Sequence, residues 1–191
     1  EVLIKAYAYW GRKCVDHFRG MFAFALWDGR DGSLWLVRDR VGIKPLYYTV
    51  DDNRIIFASE IKAILQDTSV PRCVNEEAFM HYLSFLTTPG PDTLFEGIQK
   101  LPGGCWMLCK SDGTTRTERY WDAFDNADAA RHISDAEASE GIMACLDASI
   151  KYRGVSDVPV GVFLSGGVDS STNLALLSKH FAKAPASFSV G

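Results

Sequence analysis

Positive charge in excess is the first thing this chain lacks: 20 Lys and Arg stand against 24 Asp and Glu, a net charge of −4 over 191 residues. A surface built to neutralise nucleic-acid phosphates or an anionic membrane needs a basic surplus, so neither partner is predicted. Long apolar runs are missing too. The longest, Met21 to Trp27, has seven residues, far short of the roughly 20 needed to span a bilayer. Cysteine is sparse and unpatterned: Cys14, Cys73, Cys105, Cys109 and Cys145 make an odd number with no C-x-x-C. Cys105 and Cys109 lie four apart with no histidine nearby, which argues against a zinc set or a disulfide framework. Reduced thiols and a cytoplasmic location are expected. No signal peptide is visible, but the chain opens at Glu1 in a helical pattern rather than at Met, so its true start is expected to lie upstream.

What is present reads as two halves of different class. Val2, Leu3, Ala6, Tyr7 and Trp10 recur at helical spacing, and a short helical piece is predicted from Cys14 to Phe18. Met21 to Trp27 has the pattern of a strand covered on both faces. Turn residues at Asp28–Gly32 lead into a returning strand, Ser33 to Arg38; strands at Leu46–Val50 and Arg54–Ala58 follow, which predicts a four-stranded antiparallel meander. Phe22, Phe24, Trp27, Trp35 and Tyr47 are expected in its core. A short helix from Glu60 to Leu65 and a longer one capped by Asn75 come next. Thr87 to Gly104 is mostly loop, ending in the Leu101–Gly104 turn. Cys105–Lys110 and Thr114–Tyr120 form a hairpin around Ser111-Asp112-Gly113.

After Trp121 the character changes. Residues 122–133 are polar and read as an interdomain linker. Ser134 and Glu137 fit a capping box, with Ile142, Cys145, Leu146, Ser149 and Ile150 at helical spacing behind them. A buried strand at Pro159–Leu164, a helix at Val168–Phe181 and a strand at Ala186–Val190 make one parallel β-α-β unit. The fold class is α+β followed by α/β, with domains at 1–121 and 134–191. A single β-α-β unit cannot cover both sheet faces, so the chain is expected to be truncated at both ends.

The chemistry concentrates between the last two strands, at Ser165-Gly166-Gly167-Val168-Asp169-Ser170-Ser171. Paired glycines let backbone approach a ligand closely. Amides of the first helical turn, aided by the helix dipole, then favour an anion. The loop lacks the lysine of G-x-x-x-x-G-K-[ST] and is not G-x-G-x-x-G. Asp169 beside a phosphate site is unfavourable unless it meets Mg2+ or caps backbone amides.

This loop resembles the S-G-G-x-D-S pyrophosphate loop of enzymes that cleave ATP between the α- and β-phosphates. The longer stretch from Ser156-Asp157-Val158-Pro159 through Leu164-Ser165-Gly166-Gly167 is similar to that of glutamine-dependent asparagine synthetases. Phe18 to Asp28 resembles a strand of their glutaminase domain, and Arg38-Asp39-Arg40-Val41-Gly42-Ile43-Lys44-Pro45-Leu46 resembles the R-D-x-x-G-x-[KR]-P-L loop of class II glutamine amidotransferases. Phe57 to Ile64 and Leu101 to Trp121 match later landmarks in the same order.

The resemblance implies an αββα Ntn-hydrolase domain that frees ammonia from glutamine. It also implies the first β-α-β unit of a parallel-sheet synthetase domain, in which aspartate is activated by ATP as β-aspartyl-AMP and amidated. ATP and Mg2+ are the implied cofactors; glutamine, aspartate and ATP are the implied substrates. A homodimer is one assembly the intact protein could take. Carried over by position, Ser165, Gly166, Gly167, Asp169, Ser170 and Ser171 would hold the pyrophosphate end of ATP. Leu164 and Val190 would touch its adenosine part, and Asp169 could contact Mg2+. The family's nucleophile is an N-terminal Cys, whereas position 1 is Glu, so no catalytic residue is assigned and the fragment alone is expected to be inactive. A relative that amidates another carboxyl, or a non-catalytic binding protein on the same fold, are the alternatives.

Overall fold

The computed structural model describes residues 1–51, 54–125, 127–181 and 185–189. The chain divides into two compact units, Glu1–Asp125 and Asn126–Gly191.

In the first unit, helix α1 (Val2–Trp10) stops at Gly11, whose φ of 58° suits the residue without a Cβ and whose N–H donates to the Tyr7 carbonyl. A 3-10 helix (Gly11–His17) follows and buries Cys14 and Val15. Strands β1 (Ala23–Asp28), β2 (Ser33–Arg38), β6 (Cys105–Lys110) and β7 (Thr115–Arg119) form an antiparallel sheet in the order β1-β2-β6-β7. A second sheet has the order β4-β3-β5, from β3 (Tyr47–Val50), β4 (Ile55–Ala58) and the two-residue β5 (Gln99–Lys100).

Strand alternation sorts the first sheet's side chains into two cores. Trp35, Val37 and Leu108 point toward Ala6, Cys14 and Val15. Leu36, Cys105, Met107 and Cys109 point the other way, onto Leu46, Tyr48 and Leu101 of the second sheet's side. Behind the second sheet, α2 (Ile61–Ile64) closes a third core of Ile64, Val70 and Ile98. The layers therefore run helix, sheet, sheet, helix. Helix α3 (Glu76–Phe85) starts at Asn75, whose side chain accepts from the Ala78 amide, and ends at Leu86 with φ 55°.

Two expectations fail here for identifiable reasons. The four early strands are not one meander: β1–β2 and β3–β4 are antiparallel hairpins in different sheets. The Asp39–Pro45 loop carries the chain from one layer to the other, and β2 takes the distant β6 as its second neighbour. Nor is Met21–Trp27 covered on both faces. Strand β1 is a sheet edge, and Met21 and Trp27 are 49% and 63% exposed. Phe22, Phe24 and Leu26 pack inward; Trp27 instead lines a groove of about 580 Å³ beside α1 and does not join the core.

In the second unit, α4 (Asp135–Arg153) begins with the expected capping box, Ser134 and Glu137 each satisfying the other's backbone N–H. Ile150 is buried against Leu176 and Leu177 of α5 (Val168–His180), with Leu146, Val162 and Phe181 around them. Ile142 and Cys145, by contrast, lie exposed on α4. Strands β8 (Gly161–Phe163) and β9 (Ala186–Phe188) pair in parallel, in register Val162 with Ser187. The expected burial of Pro159–Leu164 is not found. Only Val162 turns toward the helices, while Phe163 is 85% exposed, because α4 and α5 supply just one apolar cluster for this ribbon.

Among the described residues no helix is long and apolar enough to cross a membrane.

Candidate nucleotide-binding site

The carboxyl end of β8 turns into α5 through Leu164 to Gly167. Leu164 is fixed by both backbone groups: its N–H donates to Phe188 O (2.8 Å), and its carbonyl accepts from Ser189 Oγ (2.8 Å). Gly166 then adopts φ 78° with open space where a Cβ would stand, the conformation that favours glycine. Gly167 is the helix N-cap and brings no side chain to cap it. Helix geometry leaves the amides of Val168, Asp169 and Ser170 without an intrahelical acceptor. Only at Ser171 does the first helical bond appear, to Gly167 O at 3.1 Å.

The serines divide their work. Ser170 Oγ donates to Gly167 O (3.2 Å), accepts from the Ser165 amide (3.3 Å) and lies 3.1 Å from Ser165 Oγ. It is the clasp that curls the loop, a role its spacing alone did not reveal. Ser165, Gly166, Gly167, Asp169 and Ser171 are exposed, whereas Leu164 and Ser170 are half-buried. The structure thus gathers seven of the eight expected residues around one turn. Val190 lies outside the described residues. Asp169 occupies the first turn of α5, at the positive end of the helix dipole. Among the described residues no three His, Cys, Asp or Glu side chains gather to hold a metal ion.

The first unit has a second polar turn of different character. The Arg38 guanidinium donates to three carbonyls, Lys44 (2.7 Å), Leu101 (2.6 Å) and Gly42 (2.7 Å). Asp39, 1% exposed, accepts the amides of Ile43 and Lys44, one on each carboxylate oxygen, both at 2.9 Å. Arg38 and Asp39 therefore shape this loop, and Lys44 serves it through its backbone. Gly103 and Gly104 complete the joint. A Cβ on Gly103 would stand 2.7 Å from Gly42 N, which explains the Pro-Gly-Gly spacing in terms of close backbone approach. Glu60 and Lys62 pair with each other at 2.7 Å on the surface. Burial pushes the thiols of Cys14, Cys105 and Cys109 upward, away from the reactive thiolate.

A sheet-and-helix unit with this loop hub, followed by a β-α-β unit with a glycine-serine turn, is matched by two family models. The glutamine amidotransferase domain model covers residues 1–121 and the asparagine synthase model residues 141–191. The chain is 36% identical over 191 residues, all of its length, to an asparagine synthetase [glutamine-hydrolyzing] 1 of Bacillus subtilis, covering 29% of that protein. To asparagine synthetase [glutamine-hydrolyzing] 3 of the same organism it is 35% identical over 96% of its length, covering 29% of that relative. It is also 36% identical, over 96% of its length, to an amidase, chry2, of Gibberella zeae, covering 27% of it. The class is therefore that of proteins joining a glutamine amidotransferase domain to an asparagine synthase domain. The chain belongs to the glutamine-dependent asparagine synthetase family, and it spans less than a third of the length of these three relatives.

Proposed function

We propose that the whole protein is an ATP-dependent, glutamine-hydrolysing amide ligase that converts aspartate to asparagine. On this reading residues 1–121 belong to an αββα Ntn-hydrolase domain that releases ammonia and glutamate from glutamine. Residues 122–133 connect it to an ATP-pyrophosphatase domain that opens at 134. There the β-carboxylate of aspartate attacks the α-phosphorus of ATP, giving β-aspartyl-AMP and pyrophosphate. Ammonia then displaces AMP to form asparagine.

The observation that carries the proposal is the uncapped start of α5 behind Ser165-Gly166-Gly167. Its free amides and exposed hydroxyls suit the β- and γ-phosphates. The open space at Gly166 lets a polyanion approach the backbone. Ser165, Gly166, Gly167, Ser170 and Ser171 would hold this end of ATP. Leu164 and Val190 would flank its adenosine. Mg2+ fits the donor set only as a phosphate-borne ion with Asp169 as a single protein contact, since Mg2+ is commonly bound by one or two carboxylates plus substrate oxygens. Its chemistry there would be to neutralise charge on the leaving pyrophosphate.

The test is the full-length protein with aspartate, ATP, Mg2+ and either glutamine or ammonia. Stoichiometric AMP, pyrophosphate and asparagine are expected; ADP and phosphate would refute α,β-cleavage. A second reading, amidation of a different carboxyl, is favoured by the similarity to fungal proteins described as amidases. AMP formation that needs another carboxylic acid in place of aspartate would establish it. A cytoplasmic enzyme, dimeric when intact, is the setting this reading suits.

A further inference from the structure

Helix α3 buries Ala78 and turns most of its large apolar side chains outward. Phe79, Met80, Leu83 and Leu86 are between 43% and 79% exposed. Phe79 and Leu83 stand one turn apart on one face, with Met80 beside them and Leu86, the C-cap, at the end. The apolar stripe of a surface helix ordinarily faces the core, and a contiguous exposed one marks a contact surface. The two ends of this stripe carry opposite charge. Glu76 and Glu77 are exposed in the first turn. Just past the last turn, the Lys100 ammonium donates to the carbonyl (2.7 Å) and the hydroxyl (2.8 Å) of Thr88, two residues beyond Leu86. Burial and the neighbouring Arg38 charge hold Lys100 below its ordinary pKa, and Arg38 outweighs Asp92 there, so this corner is positive.

We propose that α3 is a self-association surface: it pairs antiparallel with the α3 of a second copy of this chain, about a two-fold axis at the level of Tyr82. That register sets Phe79 against the partner subunit's Leu86 and Met80 against the partner subunit's Leu83. It also brings Glu76 to the partner subunit's Thr88, where the third N–H of the partner subunit's Lys100 is not spent on Thr88. Every contact occurs twice, as an isologous interface requires. The end charges select a second copy: a purely apolar partner would leave carboxylates and ammonium unmatched, and a parallel pairing would set like charges together. Two helices of about 15 Å make a small interface, so dissociation in the micromolar range is expected. The dimer that suits the function proposed above would form here, but the contact itself makes no use of the reaction.

Sedimentation velocity tests this on the 191-residue chain and on the full-length protein, from about 1 to 200 μM. A reversible monomer–dimer equilibrium is expected in both. Leu83→Glu should raise the dissociation constant at least about tenfold, and Glu76→Lys severalfold. Both residues are exposed, so circular dichroism should show both variants folded as wild type. Adding Lys100→Glu to Glu76→Lys should recover much of the loss, a rescue that damage to the helix would not allow. A chain that stays monomeric at the highest concentration overturns the proposal, as does a dimer that Leu83→Glu leaves intact. A double variant no better than Glu76→Lys overturns the antiparallel register. A full-length monomer whose α3 amides are as protected from hydrogen exchange as buried helix overturns it too, because its own chain then covers the stripe. Amide synthesis is read separately: its absence defeats the functional reading and leaves the association result standing.

Discussion

The Arg38–Pro45 loop and the Ser165–Ser171 loop are both strand exits rich in glycine and polar side chains, yet they spend their donors in opposite ways. In the first, one guanidinium serves three carbonyls and one buried carboxylate serves two amides. In the second, Ser170 alone among the described residues clasps the turn through the backbone, and the first amides of α5 are left to an outside acceptor. Polar residues in a loop motif thus mean two things: a turn whose donors are consumed internally is scaffolding, and one whose donors stay free is a place for a ligand. Substitutions should separate the two sharply, with large folding effects at Arg38 and Asp39 in the first loop and almost none at Ser165 and Asp169 in the second.

The largest effect is expected at Asp39. Alanine there would strand two amides in a site where the side chain is nearly inaccessible, costing about 3 kcal/mol. Urea unfolding of the chain should show this as a lowered midpoint. Asparagine should cost less, because its amide oxygen can still accept one of the two N–H groups. An unshifted midpoint for Asp39→Ala would break the contrast at its strongest point. Arg38→Lys comes next, at about 2 kcal/mol, since an ammonium cannot span three carbonyls held in a guanidinium fork.

Tyr120 sharpens the same side of the comparison through pH. Burial pushes its hydroxyl up to about 12, from an ordinary value of about 10. A raised folded-state pKa means that its contribution is whole below the unfolded value and is lost as pH rises through the folded one. Stability should therefore decline between about pH 10 and 12. In Tyr120→Phe that part of the alkaline slope should vanish, after a loss of about 1 kcal/mol at neutral pH from the missing hydrogen bond to Arg38 O. Equal alkaline slopes in the two proteins would remove Tyr120 from the hub. Asp28 acts at the other end of the scale. Its bonds to the Arg30 side chain and amide hold the carboxyl far below the usual range. Its contribution is present above the ordinary carboxylate pKa and lost only in strong acid, so Asp28→Asn should flatten the acid limb.

Local signals were the legible ones. The Asn75 cap, the Ser134–Glu137 box and the β6–β7 hairpin around Ser111–Gly113 depend on neighbours a few residues apart, and the structure has them. Sheet membership was not legible, because the β2–β6 pairing joins residues about seventy apart and nothing in the Leu46–Val50 pattern says that β3 leaves β2's sheet. Trp27 misled for a related reason: an apolar run predicts burial, but an edge strand buries only the face that has a partner layer. The glycine-serine turn was readable as a motif, while the clasp by Ser170 was not, since S-G-G-x-D-S does not show which hydroxyl faces inward.

The smallest folding effect is expected at Ser165 and Asp169 of the second loop, and there the comparison is most exposed to failure. Ser165 is exposed and, among the described residues, its hydroxyl meets that of Ser170 alone. Asp169 is exposed and gains little beyond the helix dipole. Ser165→Ala and Asp169→Ala should therefore each leave the unfolding midpoint of the chain within about 0.5 kcal/mol of wild type. In the full-length protein the same changes should slow aspartate-dependent exchange of pyrophosphate into ATP by about tenfold or more, since on the proposed reading Ser165 donates to the leaving pyrophosphate and Asp169 would reach it through Mg2+, and such groups act in the transition state. A loop that proved costly to mutate yet indifferent to ATP would be scaffolding like its counterpart around Arg38, and the free amides of α5 would need another explanation. Folding unmoved and exchange lost is the pattern that only a ligand-facing turn produces.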